Sequence, residues 1–191
     1  TAVVGFAPAT SAGAVNTGAA SQFISLTNSL RASRGLPALA VDGTLTAKAQ
    51  GWAQTMADAG SIFHSNLASG APSNWQRLGE NVGRGGDVVS VHNAFVASPG
   101  HLANLVDPGF RYVGVGVVNV DGGIYVAEVF MQTASQPTAS APAPSAGAPA
   151  PQTGSSRPAA SAPLVDVAST TAPAPAPLAT STARDRRWLN P

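Results

Sequence analysis

The sequence predicts an α+β fold in which helices cover both faces of a small antiparallel sheet. Two apolar segments, 111–120 and 124–131, have the length and β-branched content of strands, and the Asp-Gly-Gly at 121–123 predicts a hairpin turn between them. Both segments are apolar on both faces, which indicates a sheet with helices on each side. Three upstream segments show the apolar spacing of helices. They begin near Ser21, Asp42 and Asp87.

Recognisable start and stop signals bound these helices. The first begins at the capping residue Ser21 and ends at Gly35 and Pro37, and the second begins near Asp42 and ends at Gly60. Their inward-facing residues are Phe23, Leu26 and Leu30 in the first, Leu45, Ala49, Trp52, Ala53 and Met56 in the second, and Val88, Val91 and Phe95 in the third. This spacing is typical of amphipathic helices that pack on a core.

A fourth, short helix at 98–105 carries polar side chains that suit a functional site. Ser98 is a good N-cap, and Pro99 fits the first helical position because proline lacks the N–H that would be unpaired there. His101 and Asn104 lie three residues apart and therefore share one face of the helix. The alternative interpretation is a capped surface helix with a solvated histidine.

Two further polar motifs precede this helix. Phe63-His64 falls in a segment that the sequence predicts to be irregular, and Gly79-Glu80-Asn81 follows a helical turn predicted at 75–78. Together with His101 and Asn104, these motifs supply imidazole, carboxylate and amide groups.

Composition divides the chain into three parts. We expect residues 1–20 to be the remnant of an export signal or a flexible leader, because they are apolar, uncharged and rich in small residues. Residues 21–133 form the predicted domain. Residues 134–191 consist largely of Ala, Pro, Ser and Thr and lack the bulky apolar residues of a core. We therefore expect a disordered tail, as in cell-wall spacers or glycosylated stalks.

Charge and composition exclude several classes of function. The formal net charge of +1 provides no electrostatic footprint for nucleic acid. The chain has no cysteine, so thiol chemistry is excluded, whereas secretion is neither required nor excluded. No run of about 18 apolar residues is present, and we therefore expect no transmembrane segment.

Six spaced motifs, taken in order, resemble the bacterial members of the CAP superfamily. This superfamily includes cysteine-rich secretory proteins, venom allergens and plant pathogenesis-related proteins. The motifs are the segment 26–39, Phe63-His64, Gly79-Glu80-Asn81, Ser98-Pro99-Gly100-His101 with Asn104, Val113-Gly114-Val115-Gly116-Val117 and Val129-Phe130. The resemblance covers residues 21–133. It implies a three-layer α-β-α sandwich with an open cleft, faced by His64, Glu80 and His101.

The cleft predicted from this resemblance departs from the superfamily pattern. Eukaryotic members have a second glutamate on the helix before the second histidine, and here that helix offers only His92. The other glutamate of the chain, Glu128, is predicted either to reach the cleft or to occupy a sheet edge. The complete set of candidate cleft residues is His64, Glu80, Asn81, Ser98, His101, Asn104 and Glu128.

Two interpretations of the polar set remain open. His64, Glu80 and His101 are ligand types that zinc prefers, and Glu80 is the candidate catalytic residue of a metal-dependent, protease-like hydrolase. Alternatively, these residues form a hydrogen-bonded cluster that holds loops to the sandwich. Nucleophilic catalysis is disfavoured, because Ser98 is committed to capping and Ser65 has no evident orienting acid.

Three functional classes follow from the sequence. We favour a non-catalytic binding module for a lipid-like ligand, a cell-wall component or a protein. The second class is the metal-dependent hydrolase, and the third is a structural envelope protein in which the tail matters most. We expect a secreted monomer that associates with the cell wall or remains free.

Overall fold

The computed structural model describes residues 13–120, 122–134 and 166–173. Four helices are present in these ranges: α1 (Thr17–Ser33), α2 (Gly43–Ala59), α3 (Val88–Ala97) and α4 (Pro99–Leu105). Six strands accompany them: β1 (Ala14–Val15), β2 (Ala40–Val41), β3 (Trp75–Gly85), β4 (Tyr112–Val120), β5 (Gly123–Thr133) and β6 (Asp166–Pro173). Residues 1–12 of the predicted leader and most of the predicted tail lie outside the described residues.

The strands form one sheet in the order β1-β4-β5-β3-β6, with β2 paired to β4. Strands β3, β4 and β5 pair antiparallel over their length, and the predicted hairpin joins β4 to β5. Helix α2 packs on one face, where Leu45, Ala49 and Met56 contact the sheet core. The opposite face carries α1, α3 and α4, so the predicted three-layer α-β-α sandwich is confirmed.

Two glycines of β4 allow α2 to lie very close to the sheet. A Cβ atom added at Gly114 would be 2.1 Å from the backbone of Leu45, and one added at Gly116 would be 2.2 Å from the backbone nitrogen of Gln50. A side chain at either position therefore requires α2 to move away from the sheet. This close approach is the structural reason for the Gly-x-Gly pair.

The domain begins earlier than the sequence analysis predicted. Helix α1 starts at Thr17, and its N-cap is Asn16, whose side chain accepts a hydrogen bond from the backbone N–H of Ala19. Ala19 and Ala20 are buried against the core. Placing residues 13–20 in a leader was therefore wrong, because Asn16 is as good an N-cap as Ser21.

The segment around Glu80 was also predicted incorrectly. Residues 75–78 were expected to form a helical turn, but they begin the eleven-residue strand β3. Its central residues are buried because β3 pairs with both β5 and β6. A strand buried on both faces lacks the alternating pattern that identifies exposed strands, and the Gly and Asn residues of β3 further weaken the signal.

Part of the predicted disordered tail is ordered. Residues 166–173 form β6, which pairs antiparallel with β3 and extends the sheet. The sequence Asp-Val-Ala-Ser-Thr-Thr at 166–171 contains β-branched residues and no proline. This short stretch therefore has strand propensity that the surrounding proline-rich composition obscures.

Candidate functional site

The short helix α4 forms one wall of the site, and a buried arginine fixes its position. Pro99 occupies the start of the helix, as predicted. At the other end, Arg31 of α1 is fully buried and donates hydrogen bonds to the backbone carbonyls of Leu105 and Asp107, each at 3.0 Å. It also donates to the carbonyls of Pro37 and Phe110. These bonds tie the C-terminus of α4 to α1.

Glu80 connects β3 to the irregular segment that contains His64. Its Oε1 atom accepts a hydrogen bond from Nδ1 of His64 at 2.8 Å and another from the backbone N–H of Ser65 at 2.9 Å. Its Oε2 atom accepts a hydrogen bond from the Ser65 hydroxyl at 2.6 Å. Glu80 is fully buried. Both oxygens of the carboxylate are therefore engaged within the protein.

A chain of side-chain amides runs from the interior of the sheet to α4. Nδ2 of Asn81 donates to Oε2 of Glu128 at 3.2 Å, and Oδ1 of Asn81 accepts from Nδ2 of Asn104 at 3.0 Å. The same Asn104 nitrogen also lies 3.3 Å from the carbonyl of Glu80. Because each amide is held on both sides, the orientation of Asn104 is fixed from within the core.

Glu128 belongs to the interior of the sheet and does not occupy an edge. Strand β5 lies between β3 and β4, and the Glu128 side chain is buried beneath the helical layer. Burial raises its pKa to about 8, an effect that the hydrogen bond from Asn81 partly opposes. The predicted edge position for Glu128 was therefore wrong. Glu128 contributes to the site indirectly, because it accepts a hydrogen bond from Asn81.

His101 is buried, and its ring is held by contacts within the protein. Its ring stacks on Phe95 with the ring centroids 4.9 Å apart, and its Nδ1 atom lies 2.8 Å from the hydroxyl oxygen of Ser98. Burial lowers the pKa of His101, and a backbone interaction with Ala168 acts in the opposite direction. Ser98 is the N-cap residue of α4, but its side chain makes no capping hydrogen bond because it faces the imidazole. Ser98 therefore occupies the predicted N-cap position, while its hydroxyl serves His101 in place of the helix backbone.

The strand β6 contacts the polar face of α4. Nδ2 of Asn104 lies 3.2 Å from the carbonyl oxygen of Thr170, and Oδ1 of Asn104 accepts from the Thr171 hydroxyl at 2.5 Å. Beside this contact, an open pocket of about 520 Å³ is bounded by β6, β3 and the irregular segment. Its lining residues are His64, Ser65, Asn66, Leu67, Ala68, Trp75, Thr170 and Ala172.

The candidate metal set does not form a metal centre within the part of the chain that the structure describes. No group of three His, Cys, Asp or Glu residues in these ranges could hold a metal ion. The Glu80 carboxylate is not free to act as a ligand, since His64 and Ser65 engage both of its oxygens. His64, Glu80 and His101 therefore do not fit a zinc site in this arrangement.

Some participants in the site were not identified from the sequence. Ser65 was considered only as a nucleophile, yet it holds Glu80 through both its amide and its hydroxyl. Arg31 and the strand β6 were not assigned to the site at all. The candidate His92 lies buried on α3, and no hydrogen bond joins it to Glu80, His101 or Asn104 in the described ranges. Burial lowers its pKa.

The α-β-α layers and this polar face define the class of protein. A model of the cysteine-rich secretory protein (CAP) family matches residues 24–133, more than half of the chain. The chain therefore belongs to this family, and the resemblance stated from its motifs is confirmed.

Individual relatives agree with the family assignment. The uncharacterised protein YkwD of Bacillus subtilis is 31% identical over 114 residues, which cover 55% of this chain and 44% of that relative. The chain thus spans less than half of YkwD. An extracellular protein of Bacillus anthracis with an SCP domain has a TM-score of 0.53 at 27% identity, covering 61% of this chain and 41% of that one. An outer surface protein of Borrelia burgdorferi has a TM-score of 0.56 at 20% identity, covering 63% of this chain and 98% of that one.

Proposed function

We propose that this chain is an extracellular, non-catalytic binding module. The observation that carries the proposal is the pocket of about 520 Å³ beside His64, which combines apolar and polar walls. Leu67, Ala68, Trp75 and Ala172 provide apolar contacts, while His64 and Thr170 provide hydrogen-bonding groups. Such a mixed lining suits a ligand with a small apolar part and a polar end, such as a lipid-like molecule or a cell-wall fragment.

The polar network beside the pocket supports binding in preference to hydrolysis. A hydrolytic serine needs an imidazole that accepts its proton, but the hydroxyl of Ser65 donates directly to Glu80. A metal-dependent hydrolase needs a set of about three protein ligands, and the described residues contain no group of three His, Cys, Asp or Glu side chains that could hold a metal ion. The bonds among these residues rigidify the wall of the pocket, which favours binding by a preformed surface.

The proposed location outside the cell rests on relatives and on the described helices. The Bacillus anthracis neighbour is described as an extracellular protein. None of the helices in the described ranges has both the length and the apolar character needed to span a bilayer. We propose a secreted monomer, and association with the cell wall remains part of this proposal.

Nuclear magnetic resonance of the ¹⁵N-labelled full chain tests the proposed pocket. We expect octanoate below its micellar concentration, or a soluble muropeptide, to shift the amide signals of residues 64–68 and Trp75. The variant Ala68→Trp fills the pocket and should abolish these shifts, whereas Ala59→Trp, at an exposed position on α2, should preserve them. If neither probe shifts these signals in the unmodified chain, the proposed function is wrong.

A further inference from the structure

We propose that the groove between β3 and α4 is a peptide-binding site that works by strand addition, with residues 166–173 as its intramolecular ligand. The ligand class is an extended peptide of small and hydroxylated residues, able to replace β6. This inference rests on the binding module proposed above, and it names a ligand for the same face of the molecule.

The backbone of β3 provides the general affinity of this groove. Eight residue pairs align β6 with β3, from Arg77 opposite Pro173 to Arg84 opposite Asp166. Without β6, β3 would lie at the edge of the sheet with its outward N–H and C=O groups unpaired. An extended peptide can satisfy these groups regardless of its side chains, and this is the basis of recognition by β-augmentation.

Asn104 provides selectivity at one position of the peptide. Its Nδ2 atom already donates to Oδ1 of Asn81, so its Oδ1 atom is directed to β6. There the amide contacts the Thr170 carbonyl and accepts a hydrogen bond from the Thr171 hydroxyl. Because the hydrogen bond to Asn81 fixes which amide atom is the oxygen, Oδ1 can only accept at position 171, and a hydroxyl donor such as that of Thr or Ser satisfies it.

The width of the groove selects for small residues. A Cβ atom added at Gly100 of α4 would lie 2.6 Å from Oγ of Ser169, and beyond its own helix Ser169 is the one described residue within 4 Å of it. On the paired strand β3, a Cβ atom added at Gly83 would lie 3.0 Å from the ring of Phe95 and 3.2 Å from the carbonyl oxygen of Asp166. The close approach of α4 at Gly100 therefore favours a small residue at position 169 of the strand.

The packing of β6 suits a segment that can be exchanged. Only Val167, Ala168 and Ala172 pack against the hydrophobic clusters, and each is only partly buried. The central strand β5, by contrast, is buried along nearly its full length. An element with little apolar burial opens at a lower free energy than the strands of the core. Opening of β6 would expose the β3 edge to a second peptide.

Hydrogen exchange of the full-length chain, followed by mass spectrometry, tests the inference. The probe is a synthetic peptide of residues 164–175, Leu-Val-Asp-Val-Ala-Ser-Thr-Thr-Ala-Pro-Ala-Pro. We expect the amides of 166–173 to be protected in the unmodified chain. Excess peptide should remove that protection while 75–85 stays protected, because the peptide replaces β6 on the same edge.

Two single-residue changes in the peptide form a matched pair. The Thr171→Val peptide lacks the hydroxyl that bonds Asn104 and should compete about tenfold less well. The Thr170→Val peptide retains the backbone carbonyl that Asn104 contacts and should compete within about twofold of the original. Full-length chain carrying Thr171→Val should release β6 at about tenfold lower concentrations of the original peptide. The weaker binding of β6 in this variant compensates for the high effective concentration that tethering gives to a segment of the same chain.

A steric variant tests the groove from the side of the helix. Gly100→Leu should abolish protection of 166–173, since its Cβ atom alone would already lie 2.6 Å from Oγ of Ser169. Gly51→Leu, on α2 where nothing lies within 4 Å, is the matched control and should leave that protection intact.

The inference is overturned if residues 166–173 exchange freely in the unmodified chain, or if Gly100→Leu leaves them protected. It is equally overturned if the peptide fails to displace β6 from the Thr171→Val chain, or if the two valine peptides compete equally. If the exchange experiment fails while octanoate or the muropeptide still shifts the amide signals, the peptide site is wrong and the proposed binding module stands. Failure of both experiments would also remove the proposed binding module.

Discussion

The hydroxyl of Ser65 donates to Oε2 of Glu80 at 2.6 Å, and among the described residues it makes no hydrogen bond to the neighbouring imidazole of His64. The carboxylate therefore lies between the hydroxyl and the imidazole, since His64 bonds the other oxygen of Glu80. In a catalytic triad the imidazole occupies the middle place. These hydrogen bonds instead hold residues 64–65 of the irregular segment against the buried strand β3.

Replacing Glu128 by glutamine should change the pH dependence of stability. The pKa of about 8 in the folded state exceeds the ordinary value of 4.5, so the folded protein retains a proton that the unfolded chain releases between these values. Stability from this residue is thus present below about pH 4.5 and is lost as the pH rises through about 8. The maximal loss is about 1.4 kcal/mol per pH unit in that window.

Urea unfolding at about pH 5.5, 7 and 9 measures this effect. We expect Glu128→Gln to gain stability relative to the unmodified protein as the pH rises, because glutamine keeps an oxygen for Asn81 without carrying a charge. The exposed Asp58→Asn is the control and should show a constant difference. A constant difference for Glu128→Gln as well would contradict the raised pKa.

Arg31→Lys should destabilise the domain and loosen α4. The guanidinium serves four backbone carbonyls, and a lysine ammonium cannot reach all of them. A buried carbonyl that loses its partner costs about 1–3 kcal/mol, so we expect a loss in that range or above it. Chemical denaturation gives the free energy, and hydrogen exchange of 99–105 gives the local effect. Arg34→Lys, at an exposed position nearby, should be neutral, and equal effects of both changes would contradict the role of Arg31.

Gly116→Ala tests the close packing of α2 on the sheet. The added methyl group would lie 2.2 Å from the backbone nitrogen of Gln50, so the helix must move. We expect a loss of about 1–3 kcal/mol, the usual cost of overpacking a core. Gly51→Ala places the same methyl group in open space on α2 and should be neutral or slightly stabilising. Thermal unfolding of both variants provides the comparison, and an unchanged melting temperature for Gly116→Ala would show that α2 accommodates the methyl group.

Zinc should not stabilise the protein through the candidate metal set. A ligand that binds only the folded state raises the melting temperature, but the described residues hold no group of three potential ligands, and both oxygens of Glu80 are engaged by His64 and Ser65. We expect any shift with zinc to be the same in the unmodified protein, His64→Ala and His101→Ala. A rise that both substitutions abolish would establish the metal site that the sequence suggested.

The sequence predicted the layers of this fold well because their signals are local. The helical spacing of Leu45, Ala49 and Met56 and the hairpin between β4 and β5 each lie within one continuous segment. Strand β3 was missed because its burial arises from partners distant in the chain. β6 was missed because proline-rich surroundings obscured eight residues of strand.

The site was predicted in part for the same reason. His101 and Asn104 share a face of one short helix, so spacing alone placed them together. That Asn81 connects Asn104 to Glu128 depends on the register of β3 against β5, which sequence spacing does not reveal. The zinc hypothesis relied on residue types, and these types do not determine which nitrogen of His64 faces Glu80.

An assay of hydrolysis with a matched pair of proteins tests the non-catalytic account most directly. Purified full-length protein and its Glu80→Gln variant are incubated with casein, simple esters and peptidoglycan, with and without zinc. Glutamine retains an oxygen that can accept the Ser65 amide bond but can neither take up a proton nor ligate metal comparably. We predict no product above background from either protein. Turnover that co-purifies with the unmodified chain and disappears in Glu80→Gln would contradict the account and establish a hydrolase that depends on Glu80.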